Sequence, residues 1–146
     1  MLKISEITSQ YYFSDYTTES LLELLNQEFK CDIKSLDKKL LNNDYKVFLV
    51  INTQNSEVCG IVAYNIINSL SSIKHLEIYN FIIKNNSNSQ NYVQLAISSI
   101  EDIAKKNKCE SIAVKLTTKN VFLQKIFALQ KYHLDQFTFE KKLAND

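Results

Sequence analysis

Proton-handling side chains are few in this chain, and two of them fall together. His75 and Glu77 lie two residues apart in the alternating stretch His75 to Ile83. Strand alternation puts both on one face. A carboxylate and an imidazole on one strand face can pair and handle a proton between them. The bland alternative is that Glu77 is an outward strand residue, paired with Lys74 or solvated. Metal chemistry is poorly supplied. Cys31, Cys59 and Cys109 are far apart, His75 and His133 are the only imidazoles, and no ligand spacing for zinc arises. Cys59 sits inside an apolar run and reads as a small buried residue.

Charge narrows the partners. All 17 basic residues are lysine and the net charge is +1. No bidentate guanidinium clamp for phosphate or carboxylate is available, and no field suited to nucleic acid is present. Lys105, Lys106 and Lys108 form the densest group, at a predicted helix C-terminus where they complement the helix dipole. The single glycine, the absence of proline and the wealth of Asn, Ile and Lys fit an AT-rich coding sequence.

The elements that must position these groups follow from periodicity. With 146 residues, 45% hydrophobic and 23% charged, the chain has the length and composition of one globular domain, 1–146. No apolar run is long enough to span a bilayer, and the N-terminus lacks a signal-peptide core, so a cytoplasmic protein without membrane contact is expected. Leu2 to Ile7 reads as a strand. A helix capped by Thr17 or Thr18 carries Leu21, Leu22, Leu24, Leu25 and Phe29, and a second runs from Ile33 to Leu41. Val47 to Ile51 and Val58 to Ile67 form a hairpin, and His75 to Ile83 a third long strand. The polar run Asn85 to Asn91 reads as a loop. After it, Val93, Ala96, Ile97, Ile100, Ile103 and Ala104 line one face of a long helix. A strand Ser111 to Leu116, a helix Asn120 to Leu129 and a closing strand Gln136 to Leu143 complete the order β-αα-βββ-α-β-α-β. This is a mixed α/β domain with a mostly antiparallel sheet and helices on both faces.

This order resembles the GNAT superfamily of acyl-CoA-dependent N-acyltransferases, over nearly the whole chain. Glu57-Val58-Cys59-Gly60-Ile61-Val62-Ala63 is similar to the family's third strand, where a glycine follows two apolar residues. Leu76 to Ile83 resembles the fourth strand that leads to the cofactor loop, and Ala104 to Cys109 the end of the following helix. Asn120, Phe127 and Tyr132 match the spacing of the family's C-terminal Asn, Tyr and aromatic signature, and Thr138 to Leu143 its last strand. The resemblance implies a sheet splayed near its fourth and fifth strands, and transfer of an acetyl group from acetyl-CoA to an amine-bearing small molecule or peptide by direct attack. It also implies a monomer or homodimer.

The resemblance implies Glu77 as base; with Phe127 in the place of the acid, either water, Tyr132 or Tyr79 acts instead, or no acid is used. Ile82 and Ile83 would lie along the acyl-pantetheine, with a backbone N–H near Ile83 polarising the thioester. The loop Asn88, Ser89, Gln90, Asn91, Tyr92 and Val93 would meet the diphosphate, and Asn120 and Phe127 the pantetheine arm. The sequence departs from the family pattern at several of these. The family loop carries Arg or Gln and then small residues, where this chain has Asn88, Asn91 and Val93. Small residues let backbone N–H groups approach a diphosphate at a helix N-terminus. Asn91 tolerates left-handed backbone, whereas the branched Cβ of Val93 would crowd a phosphate. Phe127 stands where the family commonly has a tyrosine that protonates the leaving thiolate. Asn120 equally reads as a helix cap beside Thr117 and Thr118. These departures leave two other readings open: a non-catalytic binding or interaction module with impaired CoA binding, and a dimerisation domain using an edge strand.

Overall fold

A computed structural model describes residues 1–8, 11–70, 73–116, 119–134 and 139–144. The chain forms two compact units, Met1–Lys115 and Leu116–Asp146.

The larger unit holds a five-stranded sheet in the order β1 (Leu2–Glu6), β2 (Lys46–Asn52), β3 (Glu57–Asn68), β4 (Lys74–Ile83) and β5 (Ser111–Val114). Neighbours are antiparallel through β4, and β5 runs parallel to β4. Short hairpin connections join β2 to β3 and β3 to β4, β1 pairs with β2 across the two-helix segment 7–45, and the parallel step needs the crossover helix α3 (Ser89–Lys106). Val47, Leu49 and Ile51 of β2, with Ile61 and Ala63 of β3 and Ile82 of β4, form one apolar core with α1 (Asp15–Leu25) and α2 (Ile33–Leu40). The alternate residues Phe48, Val50 and Val62 are fully buried on the other face. There α3 packs across all five strands, with Val93, Ala96, Ile97 and Ile100 buried. Helices therefore cover both faces, as the periodicity predicts. Among the described residues no helix is long and apolar enough to cross a membrane.

The helix ends differ from the sequence reading in informative ways. Ser14, rather than Thr17 or Thr18, caps α1: its hydroxyl accepts from the Thr17 N–H at 3.2 Å. Thr17 is buried instead, and its hydroxyl donates to the Ser56 carbonyl at 3.0 Å, tying α1 to the β2–β3 turn. Asp32 caps α2 by accepting from Ser35 N–H at 2.9 Å. The polar run after β4 is shorter than expected, because α3 begins at Ser89 and includes Gln90 and Asn91.

The smaller unit contains α4 (Val121–Leu129). Asn120 caps it, its side-chain oxygen accepting from Leu123 N–H at 3.2 Å. Thr117 and Thr118, proposed beside that cap, lie outside the described residues, as do Gln136 to Thr138 of the expected closing strand. The remainder of that strand is not formed: residues 139–144 have no strand pairing, and Phe139 is 95% exposed. Phe139, Leu143 and Ala144 flank three charged residues and are all exposed, so little burial offsets the ordering of a strand there.

Candidate functional site

Two irregularities meet in the middle of β4. The first is the early end of β5, which pairs only with His75, Leu76, Glu77 and Ile78. A last bond runs from Lys115 N–H to the Ile78 carbonyl at 3.2 Å. From Tyr79 to Ile83, β4 has no ladder partner on that side among the described residues. The second is a register shift on the β3 side. Tyr64 faces Ile78 and Ala63 faces Asn80, so Tyr79 is the extra residue of a bulge. Bulges re-aim side chains and concentrate beside active sites. Here the bulge restores Asn80 and Ile82 to the face shared with α1 and α2, and leaves Phe81 and Ile83 opposite Val62 and Gly60. Where a splay of the fourth and fifth strands was expected, their pairing ends at Ile78 and Val114, one residue before the bulge.

Glu77 faces Asn65, two residues along β3 from Ala63, so it shares the α1–α2 face. Its carboxylate pairs with the Lys115 ammonium at 3.2 Å, and the side chains are 18% and 60% exposed. Neither His75 nor Lys74 forms an ion pair with it among the described residues. Lys115 also lies 5.8 Å from the centre of the Tyr79 ring. Burial, and then the charge of Glu77, push the Tyr79 phenol above its ordinary value, with Lys115 partly opposing. Tyr79 thus stays protonated, as a donor, throughout the neutral range.

The connection from β4 to α3 is held by its own side chains. Ser89 is buried; its hydroxyl reaches the Lys84 and Asn86 carbonyls at 2.7 and 2.8 Å and accepts from Asn86 N–H at 2.9 Å. The Asn86 side chain accepts from Asn88 N–H at 2.8 Å and donates to the Tyr92 hydroxyl at 3.2 Å. This network closes the first turn of α3 early, which is why the loop ends before Asn91. Tyr92 and Val93 are therefore core residues, 5% and 0% exposed. The Val93 side chain, expected to crowd a phosphate, is fully buried in the core. Asn88, Gln90 and Asn91 are the exposed side chains of this turn. The neighbouring cation, Lys84, is paired with Glu57.

Gly60 is explained by packing. A Cβ there would meet Ile83 Cδ1 at 2.9 Å and Val50 Cγ2 at 3.3 Å. Cys59, beside it, is fully buried, and burial pushes its thiol up, as a small core residue requires. No cluster of metal-binding side chains occurs among the described residues.

In the smaller unit, Phe127 is 3% exposed and meets the Tyr132 ring edge-on at 5.0 Å. Tyr132 N–H donates to the Phe127 carbonyl at 2.9 Å, so the two residues form one local turn.

Three residues beside these irregularities had drawn no role from the sequence. Lys115 and Asn80 take their places from the β4–β5 parting and the bulge, neither of which leaves a local signal. Lys39 joins them from α2, across the α1–α2 face, in a cleft of about 200 Å³ that Asn80 and Ile82 also line.

No protein-family model and no curated protein sequence matches the chain. Solved structures do match over its length. A GNAT family acetyltransferase from Staphylococcus aureus aligns with a TM-score of 0.74 at 16% identity, covering 97% of this chain and 98% of that one. A ribosomal-protein-alanine N-acetyltransferase from Brucella melitensis aligns with a TM-score of 0.77 at 9% identity, over 99% and 100%. Glucosamine-6-phosphate N-acetyltransferase from Arabidopsis thaliana aligns with a TM-score of 0.69 at 12% identity, over 99% of each chain. The chain has the fold of the GNAT acetyltransferases.

Proposed function

We propose that this protein transfers an acetyl group from acetyl-CoA to a primary amine by direct attack. One observation carries the reading: β4 stops pairing with β5 after Ile78, beside Glu77 and the Tyr79 bulge, and among the described residues no further strand ladder runs along that edge. An extended acyl-pantetheine arm can lie along such an edge as an added strand would. A backbone N–H of this stretch then polarises the thioester carbonyl. Glu77 takes the proton as the amine nitrogen attacks that carbon, the C–S bond breaks, and the thiolate leaves. Tyr79 returns a proton to the sulfur, with Tyr132 as the second candidate donor. The diphosphate meets the first turn of α3 through Asn88, Ser89, Gln90 and Asn91. Without a guanidinium there, affinity for acetyl-CoA falls below that of an Arg-bearing loop. Asn120 and Phe127 are assigned to the pantetheine arm. The free thiols Cys31, Cys59 and Cys109 suit a reducing compartment, and we place the protein in the cytoplasm.

Calorimetry with acetyl-CoA and with free CoA, followed by thiol release in the presence of an amine panel, tests the reading. Binding and amine-dependent release are expected. Tyr79→Phe should slow release more than Tyr132→Phe while leaving acetyl-CoA affinity unchanged. Absence of binding at millimolar acetyl-CoA would leave a GNAT-like binding module in place of an enzyme.

A further inference from the structure

The cleft on the α1–α2 face is apolar along most of its wall, where Leu25, Phe29, Leu40, Ile61 and Ala63 contribute. Its volume is about 200 Å³. An apolar cavity of about 150 Å³ holds a benzene ring. The space therefore matches a ring or a branched aliphatic group, and is too small for a sugar ring with its hydration or for a folded peptide segment.

Its polar lining residues are Asn80, Lys39 and Tyr45, from different elements of the fold. On the β4 side is the exposed Asn80, next to the Tyr79 bulge. On the α2 side is Lys39, in the last turn of that helix. The Lys39 ammonium stands over the Phe29 ring, 4.9 Å from its centre, and its backbone carbonyl accepts the Tyr45 hydroxyl at 2.6 Å. Among the described residues no carboxylate pairs with it. The Phe29 ring holds a cation on the α2 wall of the cleft.

We infer that this cleft receives the acceptor, and that the acceptor is a primary amine with a ring-sized apolar body whose far end is neutral or anionic. The inference rests on the acetyltransferase reading above for the direction of the ligand. With the amine at Asn80 it lies beside the Tyr79 bulge, the apolar body lies against Phe29 and Ala63, and the far end meets Lys39. A polycationic acceptor would bring like charge to Lys39 and leave the apolar wall uncovered.

Ligand-observed NMR without acetyl-CoA tests this with three probes: 4-(2-aminoethyl)benzoate, 2-phenylethylamine and spermidine. The benzoate should bind roughly three- to five-fold more tightly than 2-phenylethylamine, the range of a partly exposed ion pair, and spermidine should show no saturable binding. Lys39→Glu, a change at the surface, should invert the order of the two ring amines. Ala63→Leu should fill the cleft and weaken both about ten-fold or more, with circular dichroism checking the fold; if that variant does not fold, Lys39→Glu decides alone. Spermidine binding as tightly as the ring amines, or an order unchanged by Lys39→Glu, overturns the inference. Ring amines that bind but are never acetylated count against the acetyltransferase reading and leave the cleft assignment standing. Acetyl transfer to spermidine without ring-amine binding does the reverse.

Discussion

The Glu77 carboxylate lies 3.2 Å from the Lys115 ammonium, bridging β4 to the residue that follows β5. The pair sits where the two strands part, so its lysine side faces solvent and its carboxylate side faces the sheet. Exposed ion pairs contribute about 0–1 kcal/mol, so losing this one should hardly change stability. Glu77→Gln should therefore isolate the chemical role. Turnover is expected to fall roughly 10²–10⁴-fold, the range for a general base, with acetyl-CoA affinity unchanged. Steady-state kinetics beside calorimetry read both quantities. Unaltered turnover would leave Glu77 only its pairing with Lys115.

Val93 is wholly buried beneath α3. Truncation should cost stability rather than open the loop to phosphate. Val93→Ala should lower the unfolding free energy by about 2 kcal/mol from lost burial, and Val93→Gly by about 1 kcal/mol more from helix propensity. Urea denaturation measures the loss. Acetyl-CoA binding should be no tighter in either variant, and a tighter complex would show that the side chain does obstruct the ligand.

Gly60 has a neighbour that can be trimmed. Gly60→Ala should destabilise by about 1–3 kcal/mol, because the new methyl group meets Ile83 Cδ1 at 2.9 Å. Ile83→Val removes that Cδ1. The double variant should recover part of the loss, giving a coupling well outside additivity in a double-mutant cycle. Strict additivity would point to the Val50 contact as the one that matters.

Tyr11 donates a hydrogen bond to Asp37, joining the segment before α1 to α2. Burial, then that bond and the Asp37 charge, push the phenol from 10.0 up to about 12. The folded protein holds this proton more tightly than the unfolded chain does. The stability it contributes is fully present below the unfolded value and is lost as pH rises through the folded one. Denaturant midpoints of wild type and Tyr11→Phe should therefore differ below this window and converge above it. A gap that does not change with pH would disprove the linkage.

Apart from the expected closing strand, the strands, helices and their order were legible along the chain because each buries one face, and a buried face imposes its period on the residues. Glu77 was legible as a strand-face carboxylate for the same reason. Which charge it meets was not: Lys74 and His75 are its neighbours in sequence, whereas Lys115 arrives through the parallel crossover of α3. Strict alternation groups Glu77, Tyr79 and Phe81. The extra residue at Tyr79 instead returns Asn80 to the cleft face, and a one-residue bulge leaves no mark on an apolar pattern. Val93 shows the same limit at a helix end. Periodicity put it on the apolar face of the helix while the family spacing put it at the cofactor loop, and the Ser89 and Asn86 hydrogen bonds start the helix before it and leave it in the core. The sequence by itself determined which faces are apolar and in what order the elements come, since those depend on local periodicity. Tertiary structure alone decided where β4 stops pairing with β5 and which charges flank that point, because strand register and the meeting of distant side chains depend on how the whole sheet pairs.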